Sequence, residues 1–489
     1  MLKDIKNTIK QSAVYGLSRI SLKFISFFLT PIYSIYFTVS EYGVLDRFER
    51  FWQIILAISL FGIETALLRW YTLTENPEKR KSLIFSILSF LLILNLIVIS
   101  LGTVFSGQIS YFIFDTEIYY RIIIYTFLIA AFEALLMIPL SILRAENKPV
   151  KYLVLTISSA LINMAMQFYF LFYSDIKLEG IFISKFIAPF LIFIILIPYL
   201  IRHISIKLDR LELMDVIKFS FPLMLTSIVS VLLNSVNRFI LGFIDNQNDV
   251  GLFSLASNIS GVITALLISP FQLAFNVIFW QKLKDANSAR YYTKSMTYSV
   301  FLYVWGALLL SLTIPYLIKI YIPKNMAYWE ASDLVPILSL SLVFYGMLTI
   351  AYMSYHHAKR NDLIFYFQTG ALILNIILNY LLIPYFKMYG AAFATFFSFC
   401  ILIMVMYKYS SKFYFIKYET YKITVMIILA GVIMAIFFYV KITPKWLDIT
   451  VRLLSVIFYP ILLYFFKLYE EIEITSIKSI AKKYLKINA

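Results

Sequence analysis

Residues 82–114 read SLIFSILSFLLILNLIVISLGTVFSGQISYFIF, a run without a single Asp, Glu, Lys or Arg. A helix needs about 20 apolar residues to cross the hydrocarbon core of a bilayer, so this run is long enough to span. Eight more runs of eighteen or more residues share the property: 152–174, 219–237, 250–281, 295–318, 334–358, 363–386, 388–407 and 423–440. Five further apolar segments carry an embedded charge, at about 12–37, 48–70, 119–143, 180–201 and 447–466. The expectation is an all-α integral membrane protein of fourteen spans. Connections of about a dozen residues leave no room for a soluble domain. A transmembrane barrel is excluded by pattern, because its strands alternate apolar and polar over about ten residues.

Composition agrees. Of 489 residues, 61% are apolar and 14% charged, against about 25% charged in soluble domains. That excludes a cytosolic enzyme, a disordered chain and a secreted domain. The lone Cys400 cannot staple the fold. Of three histidines, His356 and His357 precede Lys359 and Arg360 at a helix end and read as a solvated loop, and the third is His203. No phosphate-binding Gly-rich loop, zinc-protease signature or nucleophile elbow occurs. No catalytic residue, metal site or cofactor is expected. The basic start is followed by an apolar run too long for a signal peptide, so the first span is expected to be retained.

The net charge of +16 is mostly a topology signal. With the N-terminus placed in the cytoplasm, alternate connections and the tail hold 28 basic residues, among them Lys79, Arg80 and Lys81. The opposite connections hold 8. This asymmetry puts both termini inside, in a multi-pass protein of the bacterial cytoplasmic membrane, and gives nucleic acid no role as a partner. In the tail, Ile474, Ile477, Ile480, Ala481 and Tyr484 share one helical face and Lys478, Lys482, Lys483 and Lys486 the other, the pattern of a helix lying on a membrane surface.

The chain resembles itself at an offset of about 210 residues. EYGVLDRF (41–48) answers DVGLFSLA (249–256). Asn163 and Gln167 answer Asn375 and Asn379, Gly180 answers Gly390, and Gly62 aligns with Pro270. The expected organisation is a six-helix bundle at 1–202, a cytoplasmic linker at 203–215, a second six-helix bundle at 216–411, two extra helices at 412–469 and an amphipathic tail at 470–489. Halves with even span counts point the same way through the membrane, and transporters built so place substrate between them.

The first span ends FLTPIYSIYFTVSEYGVL, and the second ends GIETALLRWY before a basic loop. The second half opens KFSFPLMLTSIVSVLLNSVNRFILGFI, then VGLFSLA. These stretches resemble the Wzx-type polysaccharide flippases of the multidrug/oligosaccharidyl-lipid/polysaccharide exporter superfamily, and the resemblance runs end to end. It implies a transporter, not an enzyme. The implied action is moving undecaprenyl-pyrophosphate-linked oligosaccharide, an O-antigen or capsule repeat unit, from the inner to the outer leaflet. Membrane lipids are implied surroundings and a polysaccharide polymerase a candidate partner. The alternative is an ion-coupled antiporter of the multidrug and toxin extrusion branch. A third reading, an assembly protein without transport, fits poorly with the repeat and with helix-weakening prolines at 139, 222, 270, 315 and 336.

A charge at mid-bilayer costs at least about 2.5–3.5 kcal/mol, so an embedded one is a functional candidate. Arg19 and Lys23 lie four residues apart on one face of span one, and two stacked cations would suit a pyrophosphate. Equally, one of them would pair with Glu64, at similar depth in span two, and both readings can hold together. Glu133, near the middle of span four, is either a coupling site or a protonated glutamate between helices. Arg50 and Arg238, toward the outer ends of spans two and seven, either snorkel or meet substrate. Lys185, Arg69 and Arg452 are expected to snorkel. The buried cations favour an anionic substrate over a cationic drug.

Overall fold

The computed structural model describes residues 29–475 apart from 147, 273–274, 276–287, 359, 411, 414–415, 441, 467 and 472–474. The expected sites Arg19 and Lys23 and most of the surface-lying tail fall outside the described residues. Of the described residues 88% are helical, and no strand occurs among them. The helices are α1 Val39–Leu60, α2 Ile63–Leu73, α3 Pro77–Val104, α4 Ser106–Phe114, α5 Tyr120–Ala145, α6 Pro149–Tyr173, α7 Lys177–Ile201 and α8 Arg210–Ile244. They continue with α9 Gln247–Ile263, α10 Ser288–Tyr321, α11 Val335–His357, α12 Asn361–Ser410, α13 Thr420–Tyr439 and α14 Lys445–Phe465.

Twelve described helices are long and apolar enough to cross a membrane. One of them, α12, is twice the necessary length and breaks at Lys387, whose φ of 49° and ψ of −129° leave the helical region. A Cβ on Gly390 would sit 2.6 Å from the Leu382 carbonyl carbon. Eight residues of straight helix would separate the two by about 12 Å. The chain therefore reverses, and α12 is two antiparallel spans. Gly180 stands likewise at the α6–α7 turn, where a Cβ would strike the Phe170 side chain at 2.5 Å.

The weak points expected at Gly62 and Pro270 are both observed. Phe61 and Gly62 adopt positive φ (50° and 70°) and separate α1 from α2. A Cβ at Gly62 would meet the Ser220 carbonyl oxygen of α8 at 2.6 Å. Before Pro270, which has no N–H to donate, the chain forms a π turn over Thr264–Ile268.

The chain forms two compact units. The first comprises Met1–Leu255, Lys324–Tyr328 and Asn361–Leu402; the second comprises Ala256–Pro323, Trp329–Arg360 and Ile403–Ala489. Within the first, α1 and α9 cross at glycines. A Cβ on Gly43 would lie 2.4 Å from the Gln247 carbonyl oxygen, and one on Gly251 would lie 2.1 Å from that of Val39. Small residues allow backbones this close where no hydrophobic effect drives association. Gly251→Ala is expected to force α1 from α9, at a cost of about 1–3 kcal/mol or more. Thermal unfolding in detergent checks it; an unchanged midpoint would mean the crossing is not a close packing contact.

Also in the first unit, the stretch after α7 is strapped to α3. Ser205 N–H donates to the Lys81 carbonyl (3.3 Å), Ser82 Oγ to the Lys207 carbonyl (2.7 Å), and Asp209 N–H to Ser86 Oγ (2.8 Å). Asp209 then caps α8. In the second unit, Lys294 holds Glu419 at 2.8 Å and also binds Glu470. Glu419 also accepts from Thr297 and pairs with Lys422. Burial opposes its ionisation, but these donors hold its carboxyl down at about 2. Arg452, expected to snorkel, is instead buried on Asp448 at 3.1 Å and on the Phe437 carbonyl.

Candidate functional site

The embedded charge of the first unit gathers on α1. Thr38 accepts from Glu41 N–H while the Glu41 carboxylate accepts from Thr38 N–H, a complete capping box. It starts the helix at Val39, nine residues before the start expected from hydropathy, and so carries Asp46 and Arg47 into the helix. Asp46, Glu49, Arg50 and Gln53 then follow at helical spacing along one face.

Asp46 is the hub of an ion cluster. Its Oδ1 binds Arg50 at 3.1 Å, and its Oδ2 binds Arg238 of α8 at 2.6 Å and Ser254 Oγ of α9 at 2.7 Å. Arg238 also donates to the Asn234 carbonyl, and Arg50 to Gln53. Asp46 and Arg238 keep 3% and 6% of their side-chain surface, Arg50 17%. Neither arginine snorkels: a carboxylate within reach binds them more cheaply than stretching to the interface. Arg50 is the member left open to its surroundings, with a buried Nε that no acceptor satisfies. The neighbouring Arg47, counted from sequence among the connections, is fully buried. It bonds the Ile113 carbonyl and lies against the rings of Phe114 and Phe243.

A second cluster shares α1. Lys185 of α7, expected to snorkel, binds Glu49 at 2.6 Å. It also acts electrostatically on Glu133 of α5, as does the Trp52 indole. Glu133, which has no basic neighbour one turn away on its own helix, thus has one on another. Glu64, expected beside Arg19 or Lys23, pairs among the described residues with Arg144. It lines a small cleft with Leu60, Met137 and Ser141. At the end of α5, Glu146 accepts from Lys148 (2.6 Å), Tyr199 (2.7 Å) and His203 (2.9 Å). Burial works against its charge, yet these donors keep its carboxyl near about 2.

The matched amide pairs are also hydrogen-bonded. Gln167 donates to Asn163 at 2.9 Å and accepts from Tyr33 at 2.5 Å. Asn379 donates to Asn375 at 2.9 Å and to Asn237 of α8 at 2.7 Å, and Asn237 donates to Thr395. In each case the i, i+4 pair binds a residue from the helix that opens its repeat.

The sequence profile of the polysaccharide biosynthesis proteins matches residues 8–279, more than half of the chain. The chain belongs to the polysaccharide biosynthesis protein family. Both charged clusters of the first unit lie within the matched region. This family member is 23% identical to an uncharacterized membrane protein of Haemophilus influenzae, over 78% of this chain and 94% of that one. Its fold is that of a lipid II flippase MurJ in an inward closed conformation. The TM-score is 0.73 at 19% identity, covering 93% of this chain and 98% of the other. An inward-facing multidrug resistance transporter of the multidrug and toxin extrusion family shares it with a TM-score of 0.67 at 12% identity, over 84% and 98%.

Sequence reading found Arg50 and Arg238 but missed Asp46, which it left in a connection, and passed over Glu49 and Ser254 inside the spans expected at 48–70 and 250–281. The capping box TVSE (38–41) was the signal that would have moved Asp46 into the helix. Nothing local marks Ser254 as a partner of residue 46.

Proposed function

We propose that the protein is a flippase for undecaprenyl-pyrophosphate-linked oligosaccharide, carrying repeat units from the inner to the outer leaflet by alternating access. The observation that carries this reading is the stoichiometry at Asp46: two guanidinium groups on one carboxylate, embedded in a span. Such a cluster retains a positive charge that a neutral design would avoid, and an anionic ligand recovers its cost. Arg50, the accessible member, contacts the pyrophosphate together with Arg19 and Lys23, while the buried Arg238 positions it. The moving parts are the two six-helix bundles at 1–202 and 216–411, in the bacterial cytoplasmic membrane with both ends inside. Glu133, set against Lys185, is the coupling group, and Glu64 serves charge pairing with Arg144. The alternative, an ion-coupled antiporter, draws support from Glu49 and Glu133, but Lys185 compensates one of these two carboxylates.

The test is flipping in proteoliposomes loaded with a fluorescent undecaprenyl-pyrophosphate-linked oligosaccharide. Arg19→Ala and Lys23→Ala are each expected to abolish flipping while inserted protein stays constant. Normal export by both variants would overturn the pyrophosphate role.

A further inference from the structure

Helix α6 crosses the membrane with only Gln167 and Leu171 of its 25 residues buried. Its apolar residues can face hydrocarbon, but its polar ones should face protein or water. Thr156, Ser159, Asn163 and Gln167 follow at spacings of three, four and four, so they form one stripe. Gln167 fixes which way the stripe looks, because its amide is tied to Tyr33 and Asn163. The stripe therefore faces into the first unit. Thr156 Oγ1 bonds carbonyls of its own helix. Among the described residues, the Ser159 hydroxyl and the Asn163 NH2 group donate to no partner.

Through Tyr33 the stripe meets the helix that leads into α1, which carries the second cluster. There Glu49 holds Lys185 at 2.6 Å, and the Lys185 ammonium lies 5.7 Å from the Trp52 ring centroid. The resulting wall offers hydroxyl, amide, phenol and indole groups, with one lysine paired to the Glu49 carboxylate. It carries no surplus positive charge, so it is a poor seat for a pyrophosphate. It presents donors and acceptors together, which is what sugar hydroxyls need, since each both donates and accepts.

We infer that this wall, Ser159 and Asn163 above all, holds the glycan portion of the substrate, apart from the arginines that hold its pyrophosphate. The inference rests on the flippase reading. Its test is binding of two probes to the full chain in nanodiscs: undecaprenyl pyrophosphate, and the same lipid bearing a tetrasaccharide of neutral hexoses. The wild type should bind the glycan lipid more tightly. The double variant Ser159→Ala/Asn163→Ala should lose about tenfold of that affinity, as expected for two neutral hydrogen bonds, and change bare-lipid affinity by less than about twofold. Arg50→Gln should weaken both probes, and Asn163→Gln, which keeps the amide, should retain most glycan affinity. Equal losses on both probes, no loss on either, or a wild type indifferent to the glycan would overturn the glycan wall and leave the flippase reading standing. A wild type that binds neither lipid would overturn both.

Discussion

Asp46→Asn is expected to destabilise the protein by about 3–5 kcal/mol, the usual result of removing one partner from a buried ion pair. Here one carboxylate answers two guanidinium groups and a hydroxyl. An amide of the same shape keeps part of the hydrogen bonding and none of the charge, so Arg50 and Arg238 are left as two neighbouring buried cations. Their mutual repulsion adds to the lost attraction, and transport should fail with stability. The double variant Asp46→Asn/Arg238→Gln should recover a large part of the loss, because it removes the more deeply buried of the two stranded charges. A double-mutant cycle measures that coupling directly. Arg50→Gln alone should cost much less, since Arg50 is the more exposed arginine and Asp46 keeps Arg238. Denaturation in detergent reads these three variants and the Arg238→Gln single that completes the cycle. A single Asp46→Asn variant as stable as wild type would show that the cluster is not buried in the membrane-embedded protein.

What the sequence made legible follows the range of the forces involved. Span count and class rest on local composition, and both were readable: apolar runs of about twenty residues have one stable form in lipid. The weak points at Gly62 and Pro270 were readable because glycine and proline act on their own backbone. That Arg50 and Arg238 lie within apolar stretches was readable too, whereas the burial of Arg47 and Arg452 was not. Nor was the partner of Arg50 and Arg238. Asp46 lies 192 positions from Arg238, and only the packing of α1 on α8 joins them. The same holds for Lys185 with Glu49 and for Arg144 with Glu64. An isolated embedded charge reads as snorkelling when its counter-charge sits on another helix. The start of α1 was missed for a different reason: hydropathy reports where the chain turns apolar, whereas a capping box reports where it turns helical, and here the two differ by nine residues.

Transport of a substrate with two negative charges should depend steeply on membrane potential. Each charge crossing the full field is worth about 2.3 kcal/mol per 100 mV, so two give about 4.6 kcal/mol. That corresponds to a limiting accumulation ratio of about two-thousandfold, since each 1.4 kcal/mol is a factor of ten. The inside-negative potential drives an anion outward, which is the direction a flippase needs. Over a full cycle the charge of the site goes out and returns, so the net charge moved per turnover is the substrate's two. Arg50 and Arg238 share Asp46, so the empty cluster carries one net positive charge, whose return the inside-negative potential also favours. In proteoliposomes clamped with potassium and valinomycin, the flipping rate of a lipid-linked oligosaccharide should rise with inside-negative potential at fixed pH and sodium. A rate indifferent to potential would refute the electrophoretic drive. If Glu133 also carries a coupling ion, pH or sodium should change the rate at constant potential, and Glu133→Gln should abolish that second dependence while sparing the first. Full activity of Glu133→Gln at every pH and sodium concentration would reduce Glu133 to a packing role beside Lys185.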